Sequence, residues 1–452
     1  MKIIDQGHQD YLKFFPASGH AENRIWAPSR FLLSRQTDGG MLLCNTLTGE
    51  LVLLSAEERA WMDSLPAAAA PASAELIRGR FAVPEGCDEA KAADQLRGLL
   101  IRRQAAKKVF TSCNILPTTF CNAHCFYCYE SGIRHVHMSE DTAEQLIQMI
   151  AGHYDGRQVT LLWFGGEPLV GMDRIDQICA RLRELGIHFR SQMTSNAYLF
   201  DEDVVKKAKD LWNLRSIQIT LDGTEEVYNR TKAYSGVRDN PYQRVLRNIR
   251  LLTDTGISVD IRMNLDRHND KNLMELADEL AARFRGCRYL TVYVRKLIRD
   301  EGFEPLRHAE GDAEYLDGQV IRIQEKLEQN GWRQYRADHL PSLKISICMA
   351  DNPGAVQCTP DGILSKCEDQ IYGHTVGTLA DGITDMKEVS YWQQRRSFDG
   401  CGQCPLYPSC DRLLRNCPGK TTKCTAYDKD RLISRYQEIM LQEYEQWKNK
   451  EQ

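Results

Sequence analysis

Residues 110–131, FTSCNILPTTFCNAHCFYCYES, pass from an apolar, strand-like run into a loop that holds three cysteines. These are Cys121, Cys125 and Cys128, in the spacing C-x3-C-x2-C. A closed zinc or iron–sulfur site normally takes four protein ligands, so three thiolates leave one position to be filled. One interpretation is a four-iron cluster with one open iron, as a catalytic metal site requires. The other is a zinc half-site completed by a nearby histidine: His124, His135 or His137.

Strand-like and helix-like segments alternate six times across residues 109–335. The strand-like runs are FTSCNILP, QVTLLWFGG, FRSQMTSN, SIQITLDG, SVDIRMNLD and YLTVYVRKL, and each is followed by a run with apolar residues at helical spacing. Repeated β–α units predict a parallel sheet with right-handed crossovers. Six units predict an α/β fold, a partial (β/α)6 barrel, because a closed barrel needs eight.

Polar and glycine-rich segments follow several of these predicted strands. GGEP (residues 165–168) follows the second strand, TSNAY closes the third, and TLDG (residues 220–223) closes the fourth, while Arg262 and Asn264 lie late in the fifth. Ligands of parallel β/α folds bind at the carboxyl ends of the strands. Each segment alone could be an ordinary turn, but together they are expected to meet the cysteine loop at one rim.

A second group of cysteines lies in residues 336–430, a segment rich in Cys, Pro and Gly with short predicted elements. Such a segment cannot build a large hydrophobic core and needs crosslinks, such as disulfides or bound metal, to be stable. In a reducing compartment, clustered cysteines indicate metal binding and not disulfides. A zinc ribbon would use four of them and leave four idle. The eight cysteines are Cys348, Cys358, Cys367, Cys401, Cys404, Cys410, Cys417 and Cys424.

The cysteine loop after a first strand, with GGEP after the second, resembles the radical S-adenosylmethionine (SAM) superfamily. In that family the open iron of a 4Fe-4S cluster binds SAM, and one electron cleaves SAM to a 5′-deoxyadenosyl radical that abstracts hydrogen from a substrate. The resemblance implies that Gly165, Gly166 and Glu167 bind the SAM amino group. It implies that Tyr127 contacts the adenine side. It places Ser195, Asn196 and Thr220 near the ribose. At the position of Lys232 the family often has an arginine near the SAM carboxylate, and Arg230 lies two residues before it, so Lys232 or Arg230 is expected to bind that carboxylate.

The downstream cysteines resemble the SPASM extension of peptide-modifying radical SAM enzymes. They follow its C-x9–15-G-x4-C and C-x2-C-x5-C patterns, with Gly362 as the glycine, but six residues instead of three separate Cys410 from Cys417. The resemblance implies two auxiliary 4Fe-4S clusters, and so three clusters in all. It assigns the outer cluster to Cys401, Cys404, Cys410 and Cys424 and the inner one to Cys348, Cys367 and Cys417.

Cys358 is the eighth cysteine of this group and has no place in the family pattern. It lies across the predicted turn TPDGI from Cys367. We infer that it is the fourth ligand of the inner cluster, which would then have no iron open to substrate. The alternative is a free thiol in the hydrophobic core.

Two carboxylates, Glu368 and Asp369, directly follow Cys367. In the similar anaerobic sulfatase-maturating enzymes an Asp follows the equivalent cysteine and serves as the base. Glu368 has that position here. A carboxylate near a cluster and a buried substrate could deprotonate a Ser, Cys, Lys or amide group. The alternative is a solvated loop carboxylate.

Residues 1–108 predict a small α+β unit with a hairpin that turns at residues 38–40 and a helix capped by Ser55. Strands followed by short helices fit a winged-helix-like domain. It is expected to recognise a precursor peptide as an added strand, a mode that needs main-chain hydrogen bonds. Residues 431–452 predict an amphipathic C-terminal helix that serves packing.

Composition excludes several classes of function. The chain has 452 residues with a net charge of −4, so it lacks the basic surface of a nucleic-acid-binding protein. No apolar run approaches the roughly 18 residues of a membrane span. The N-terminal sequence has polar residues where a signal peptide has its apolar core. The expected location is the cytoplasm.

The two resemblances imply a radical SAM/SPASM peptide maturase, an oxidoreductase that crosslinks or otherwise oxidises residues of a ribosomally made precursor peptide. The predicted crosslinks are thioether or carbon–carbon bonds. A reductant such as flavodoxin or ferredoxin would supply the electron, and the auxiliary clusters would remove one from the substrate radical. The alternatives are an anaerobic sulfatase-maturating enzyme that makes formylglycine and a non-enzymatic iron–sulfur carrier or peptide-binding scaffold.

Overall fold

The computed structural model describes residues 1–14, 24–237, 239–297, 312–332, 339–413, 416–417, 424 and 426–451. The chain divides into two compact units. The first comprises residues 1–107, 337–353 and 391–452, and the second comprises residues 108–336 and 354–390. Within the described residues, no helix is both long and apolar enough to cross a membrane.

The secondary structure follows the predicted order of elements. The strands are β1 (Lys2–Asp5), β2 (Ile25–Pro28), β3 (Leu32–Thr37), β4 (Gly40–Asn45), β5 (Glu50–Leu53), β6 (Ala67–Ala68), β7 (Ala82–Pro84), β8 (Ser112–Ile115), β9 (Val159–Trp163), β10 (Phe189–Ser195), β11 (Leu214–Thr220), β12 (Ser258–Leu265), β13 (Leu290–Lys296), β14 (Ala355–Cys358), β15 (Ile363–Ser365), β16 (Thr375–Thr378) and β17 (Gly382–Ile383). The helices are α1 (Ala56–Asp63), α2 (Ala74–Arg78), α3 (Glu89–Ala106), α4 (Glu140–Gly152), α5 (Met172–Glu184), α6 (Glu202–Asp210), α7 (Glu225–Lys232), α8 (Pro241–Asp254), α9 (Asp270–Arg283), α10 (Asp312–Gln329), α11 (Met386–Gln393) and α12 (Ala426–Glu451).

The first unit contains an antiparallel sheet in the order β1-β5-β4-β3 and a smaller sheet in the order β6-β2-β7. The predicted hairpin is the pair β3–β4, and Ser55 caps α1 in a capping box with Glu58. Helix α12 buries Tyr436, Ile439 and Met440 in the same core as the larger sheet, as its apolar periodicity predicts. The winged-helix assignment of residues 1–108 stays a prediction.

The second unit is built on a ten-stranded sheet whose first six strands are parallel and lie in chain order, from β8 to β13. The prediction of a parallel α/β core is therefore confirmed, and the closure of its six strands into a partial barrel stays a prediction. Ser139, Asp201 and Asn240 cap α4, α6 and α8 with their side-chain oxygens, which fixes where these helices begin.

The parallel strands bury one face and leave the other partly open. In β9, Val159, Leu161 and Trp163 are buried, whereas the alternate residues are only partly covered. The same alternation runs through β10, β11 and β12. Because alternate side chains of a strand point to opposite faces, one face packs on helices. The other is a polar surface that can receive a ligand.

Two features of this unit were not predicted from the sequence. Helix α7 follows the TLDG segment, and β14 extends the sheet by pairing in parallel with β8, the first strand. Strands β15 to β17 then add antiparallel pairs. The structure therefore groups residues 354–390 with the sheet, whereas the sequence assigned them to the C-terminal domain.

Candidate functional site

The loop that carries the three cysteines is closed at its base. Thr118 and His137 form an antiparallel bridge between the two ends of the loop. The backbone N–H of Thr119 donates to the carbonyl oxygen of Val136 at 3.0 Å, and its hydroxyl donates to the carbonyl oxygen of Arg134 at 2.7 Å. The two threonines therefore fix where the loop leaves β8 and where it returns.

The three thiols inside this loop are half-buried and lie in one another's electrostatic field. The backbone N–H of Ala123 donates to the sulfur of Cys121 at 3.4 Å, and the backbone of Glu130 donates to the sulfur of Cys128. Hydrogen bonds to sulfur favour the thiolate, which is the form that binds a metal. Together with Cys125, these residues fit a cluster held by three cysteines.

The neighbouring histidines do not complete a zinc site. His124 Nε2 lies 2.6 Å from the Ser235 hydroxyl, and the rings of His135 and His137 pack against Phe120. In the described part of the chain, no group of three or more His, Cys, Asp or Glu side chains could hold a single metal ion. A four-iron cluster binds each thiolate through a different iron, so its ligands need not converge on one point. The geometry favours the cluster.

Gly165 and Gly166 allow the second strand to pack against the cysteine loop. A Cβ on Gly166 would lie 2.4 Å from the carbonyl oxygen of Phe120. A Cβ on Gly165, whose φ is +115°, would lie 2.3 Å from that of Thr118. The N–H of Glu167 then donates to the carbonyl of Phe120 at 2.9 Å. The two glycines therefore permit a close backbone approach to the cysteine loop itself.

Glu167 is 1% exposed and links the ends of two strands. Its carboxylate accepts hydrogen bonds from the Ser195 hydroxyl at 2.8 Å, the Asn196 N–H at 2.8 Å and the Leu169 N–H at 3.2 Å. Burial raises the pKa of Glu167 to about 7, and these hydrogen bonds limit the rise. GGEP and TSN, two separate motifs in the sequence, are therefore one hydrogen-bonded unit.

Asn196 extends this unit to the cysteine loop. Its Nδ2 donates to Asn122 Oδ1 at 2.7 Å and lies 4.0 Å from the sulfur of Cys121. Sequence reasoning did not single out Asn122, and its position directly after the first cysteine is the one signal that could have identified it. The rim thus contains a continuous set of contacts from Glu167 to the predicted cluster ligands.

Lys232 is 2% exposed and is engaged by three protein groups. Its ammonium lies 3.1 Å from the Asp222 carboxylate and 2.9 Å from the Tyr127 hydroxyl, and it also donates to the Thr220 hydroxyl. The Tyr127 hydroxyl donates to Asp222 at 2.6 Å. Burial opposes the charge on Lys232, but Asp222, with Cys125 beside it, raises the pKa of Lys232 well above its ordinary value. The residue predicted to meet the SAM carboxylate thus joins Tyr127 to the fourth strand.

Arg230, the other candidate for the SAM carboxylate, is not brought into this group. Its side chain is 71% exposed and pairs with Glu226 at 3.9 Å. Residues two apart on a helix do not share a face, so α7 directs Arg230 away from the buried Lys232. The structure therefore places Lys232 at the rim and Arg230 in solvent.

Glu368 lies on the same side of the sheet as Asn114 of β8, whose Nδ2 donates to its carboxylate at 3.4 Å. Protein surrounds much of Glu368, yet its side chain remains exposed, as expected for a group that lines a cleft. Burial raises its pKa, Asp369 raises it further, and Arg262 opposes the rise. Arg262 in turn donates from Nε to Asn264 at 2.9 Å. The two carboxylates and the polar end of β12 are thus close to one another.

Cys358 lies in the hydrophobic core of the second unit together with Cys113 of β8, and burial raises the pKa of its thiol. It is 0% exposed, and its thiol lies 3.4 Å from the carbonyl oxygen of Thr359. The preceding residue, Gln357, points to the opposite face, where it donates to Ser365 at 3.0 Å. This placement favours the alternative that the sequence left open, a core thiol, over a cluster ligand.

The predicted auxiliary ligands of the first unit resemble the cysteines of the loop and not Cys358. Three of them accept a backbone N–H at the sulfur: Cys348 from Ala350 at 3.4 Å, Cys401 from Phe398 at 3.3 Å and Cys410 from Arg412 at 3.4 Å. The thiols that interact electrostatically also belong to the same predicted cluster. Cys417 acts on Cys348 in the predicted inner cluster, and Cys404 and Cys424 act on Cys410 in the predicted outer cluster. Cys367, the remaining predicted ligand, belongs to the second unit.

A buried ion pair fixes the chain at Cys348. Asp351 accepts the backbone N–H groups of Ile347 at 2.8 Å and Cys348 at 3.1 Å, and its other oxygen lies 3.0 Å from the guanidinium of Arg97. Sequence reasoning missed both residues. The local signal was an Asp three residues after a cysteine, a position from which a side chain can cap a turn.

Comparison with known proteins finds one family model and several solved structures that match this chain. Residues 115–280 match the family model described as the Radical SAM superfamily. A solved structure of anSMEcpe with bound AdoMet is 15% identical over 75% of this chain and 95% of that one, with a TM-score of 0.54. The structure of the same enzyme with AdoMet and Cp18Cys peptide is 14% identical over 75% of this chain and 99% of that one, with a TM-score of 0.53. The structure of Streptococcus suis SuiB bound to S-adenosylmethionine is 14% identical in sequence. The match covers 88% of this chain and 99% of that one, with a TM-score of 0.50. No curated protein matches. These likenesses show the fold.

Gly166→Ala should destabilise the rim because its Cβ would overlap the backbone of Phe120. We expect a loss of about 1–3 kcal/mol in the free energy of unfolding, together with a loss of iron. Gly152→Ala, at the end of α4 with open space around it, is the matched control and should be neutral. Chemical denaturation and iron analysis measure both; equal behaviour of the two variants would contradict the packing role.

Lys232→Met should leave the buried carboxylate of Asp222 without its cation. We expect a loss of about 3–5 kcal/mol, the usual result of breaking a buried ion pair from one side. The double variant Lys232→Met/Asp222→Asn removes both charges and should recover part of this loss. Urea unfolding of Lys232→Met, Asp222→Asn and the double variant measures the coupling, and strictly additive effects would show that the two side chains do not depend on each other.

Cys358→Ala should leave the iron content of the reconstituted protein unchanged, since the thiol lies in the core. Cys113→Ala, on the neighbouring strand and in the same core, should behave in the same way. Cys121→Ala should lower the iron content. A loss of iron in Cys358→Ala, with Cys113→Ala unaffected, would restore Cys358 as a cluster ligand.

Proposed function

We propose that the protein is a radical SAM peptide maturase, from the premise that residues 115–280 match the family model described as the Radical SAM superfamily. It would use SAM to oxidise or crosslink residues of a ribosomally made precursor peptide. The observation that carries the proposal is the set of hydrogen bonds joining Glu167, Ser195 and Asn196 to Asn122 of the cysteine loop. A site for SAM beside a three-thiolate cluster needs these segments to meet at one rim.

Different residues of this rim would bind the cluster and the separate parts of SAM. Cys121, Cys125 and Cys128 would hold a 4Fe-4S cluster, and Glu167 would meet the SAM amino group. When bound there, the cluster supplies the electron that cleaves SAM to a 5′-deoxyadenosyl radical. The proposed neighbours of the nucleoside are Tyr127, Ser195, Asn196 and Thr220. Lys232 would attract the SAM carboxylate through its charge, because its N–H donors are already bonded to protein acceptors.

The substrate would bind on the open face of the parallel sheet. That face has polar side chains such as Tyr293 and Gln218, whose side chains are joined by a hydrogen bond of 2.6 Å. Polar walls suit a peptide, whose backbone must find partners when it leaves water. The anSMEcpe structure with AdoMet and Cp18Cys peptide supports a peptide as the kind of substrate. Edge strands β1 and β3 of the first unit would offer main-chain groups to a leader segment.

Oxidation of the substrate needs a path for one electron out of the site. The auxiliary 4Fe-4S clusters proposed at the C-terminal cysteines would accept it, and a flavodoxin or ferredoxin would reduce the first cluster. Glu368, in the cleft beside Asn114, would accept the proton that leaves the substrate, with Asp369 next to it. In this scheme the peptide loses two hydrogens, one to the deoxyadenosyl radical and one as a proton and an electron.

The reduced protein, reconstituted with iron and sulfide, should convert SAM to 5′-deoxyadenosine, detected by liquid chromatography and mass spectrometry. Cys125→Ala should abolish the conversion. Glu202→Gln, an exposed carboxylate in the first turn of α6, is the matched control and should retain it. Absence of 5′-deoxyadenosine from a protein that has its full iron complement would refute the enzyme assignment in favour of an electron carrier or scaffold. Formylglycine formation on a sulfatase-derived peptide would replace the crosslinking proposal with sulfatase maturation.

A further inference from the structure

Two arginines lie on the open face of the parallel sheet, on neighbouring strands. Arg262 of β12 is opposite Tyr293 of β13 in the strand register, and Arg295 comes two residues after Tyr293. Residues two apart on a strand share a face, and so do residues that are opposite each other in the register, so all three side chains point to the same side. The guanidinium of Arg295 lies 5.8 Å from the centre of the Tyr293 ring, as this placement requires.

Arg262 is half-buried and is held at one nitrogen. Its Nε donates to Asn264 Oδ1 at 2.9 Å, which fixes the plane of the guanidinium. Among the described residues, no hydrogen bond or ion pair engages the two terminal nitrogens of Arg262. The guanidinium of Arg295 likewise has no carboxylate partner in the described part of the chain. Arg262 therefore presents an oriented pair of donors that a ligand can use.

The amide of Gln218 adds a further donor on the same face. Gln218 lies two residues before Thr220 on β11, and Thr220 is opposite Arg262 in the register. The Tyr293 hydroxyl donates to Gln218 Oε1 at 2.6 Å, so the amide oxygen is occupied and the amide nitrogen is left to donate. We call Gln218, Arg262, Tyr293 and Arg295 the basic subsite.

Within the described residues, the protein's own carboxylates do not neutralise the basic subsite. Asp260 shares the open face of β12 but accepts a hydrogen bond from the Thr291 side chain. Glu368 interacts electrostatically with Arg262, yet its carboxylate bonds to Asn114 at 3.4 Å. Neither carboxylate forms an ion pair with Arg262. A half-buried guanidinium with unused donors and no ion-pair partner is a site for an anion.

We propose that the basic subsite binds a carboxylate of the peptide substrate, supplied by an Asp or Glu side chain or by the C-terminus, an inference that rests on the proposed function. The planar fork of Arg262 matches the two oxygens of a carboxylate with two parallel hydrogen bonds. Arg295, which is exposed, would attract the acidic group to this face through its charge.

The substrate class follows from the position of Arg262 in the sheet. Thr220, a proposed neighbour of SAM, lies on the adjacent strand at one strand spacing, about 4.8 Å. A carboxylate bound by Arg262 would therefore hold the peptide next to the place where hydrogen is abstracted. The substrate is a peptide that has an acidic residue, or its own C-terminus, close to the modified residue.

The carboxylate of SAM fits the basic subsite less well. The amino and carboxylate groups of SAM share one carbon atom, and the proposed partner of the amino group is Glu167, directly after β9. Three strand spacings separate β9 from β12, about 14 Å along the sheet. Lys232, by contrast, contacts the cysteine loop through Tyr127 at 2.9 Å. A carboxylate at Arg262 is therefore assigned to a second molecule, the peptide.

Peptide binding to the full-length reconstituted protein tests this proposal. One pair of probes is acetyl-Gly-Gly-Asp-Gly-Gly-amide and its neutral Asn counterpart, and the other is acetyl-pentaglycine with a free or an amidated C-terminus. Titration calorimetry with excess SAM and no reductant keeps the SAM site filled and prevents turnover. We expect about tenfold tighter binding of the charged peptide in at least one pair, and that pair identifies the source of the carboxylate. Equal binding within both pairs, or no detectable binding of any probe, would overturn the proposal.

Variants of the basic subsite connect this preference to its residues. Arg262→Met should reduce it below about threefold, and Arg262→Lys should keep an intermediate preference because an ammonium has no fork. Gln218→Glu keeps an acceptor for the Tyr293 hydroxyl but adds a carboxylate to the same face, so it should also remove the preference. It decides the test if Arg262→Met does not fold.

The matched control is Arg215→Met, which removes an exposed arginine of β11 and should keep the preference in full. A preference that survives in both Arg262→Met and Gln218→Glu would overturn the proposal. An equal loss in Arg215→Met would overturn it as well, because the effect would then come from the overall charge of the protein.

The proposed function and the basic subsite can fail separately. A protein that converts SAM to 5′-deoxyadenosine but shows no preference for a charged peptide keeps the proposed function and loses the subsite. A protein that shows the preference but produces no 5′-deoxyadenosine loses the proposed function, whereas the binding site stands. The affinity of Arg262→Met for SAM should stay within about threefold of that of the unaltered protein. A larger loss would overturn the assignment to the peptide and give Arg262 to the SAM carboxylate.

Discussion

The buried carboxylate of Glu167 is the constraint on which the rim depends. A carboxylate removed from water needs donors, and here they are the Ser195 hydroxyl and the Asn196 N–H, each at 2.8 Å. Those donors lie at the end of β10, so they reach Glu167 only in the parallel register that pairs β9 with β10. Asn196 also bonds to Asn122 at 2.7 Å, and the constraint therefore extends to the cysteine loop.

A second buried charge holds the opposite side of the loop by different means. Glu167 is satisfied by neutral donors, whereas Asp222 is met by the ammonium of Lys232 at 3.1 Å. The backbone carbonyl of Lys232 also accepts the N–H of His124 at 2.8 Å, so one residue contacts the loop through both its backbone and, by way of Tyr127, its side chain. The loop is thus held at the end of the third parallel strand by the side-chain amide of Asn196, and at the end of helix α7 by hydrogen bonds to Lys232.

The β–α order could be predicted from the sequence because each strand hides one face beneath a helix and leaves a period of two in the sequence. The position of β14 could not. It has four residues, all buried, and such a short apolar run does not reveal its partner. The pairing of β14 with β8 determines where the side chain of Cys358 lies. Closeness to Cys367 in sequence suggested a ligand, but the strand turned the thiol into the core beside Cys113. The pairing of Lys232 with Asp222 also emerged only from the fold.

Cysteine spacing and cysteine environment therefore carry different information. Spacing resembles a family pattern and groups the cysteines, but it cannot separate a ligand from a buried thiol. A backbone N–H that donates to the sulfur is a further observation, because it favours the thiolate. Cys121, Cys348 and Cys410 each accept a backbone N–H from the residue two positions later, an arrangement that turns the chain around the sulfur and stabilises a thiolate. Cys358 instead lies against a carbonyl oxygen, to which only a protonated thiol can donate. In these four cysteines, a backbone N–H at the sulfur accompanies the three predicted ligands and is replaced by a carbonyl contact at Cys358.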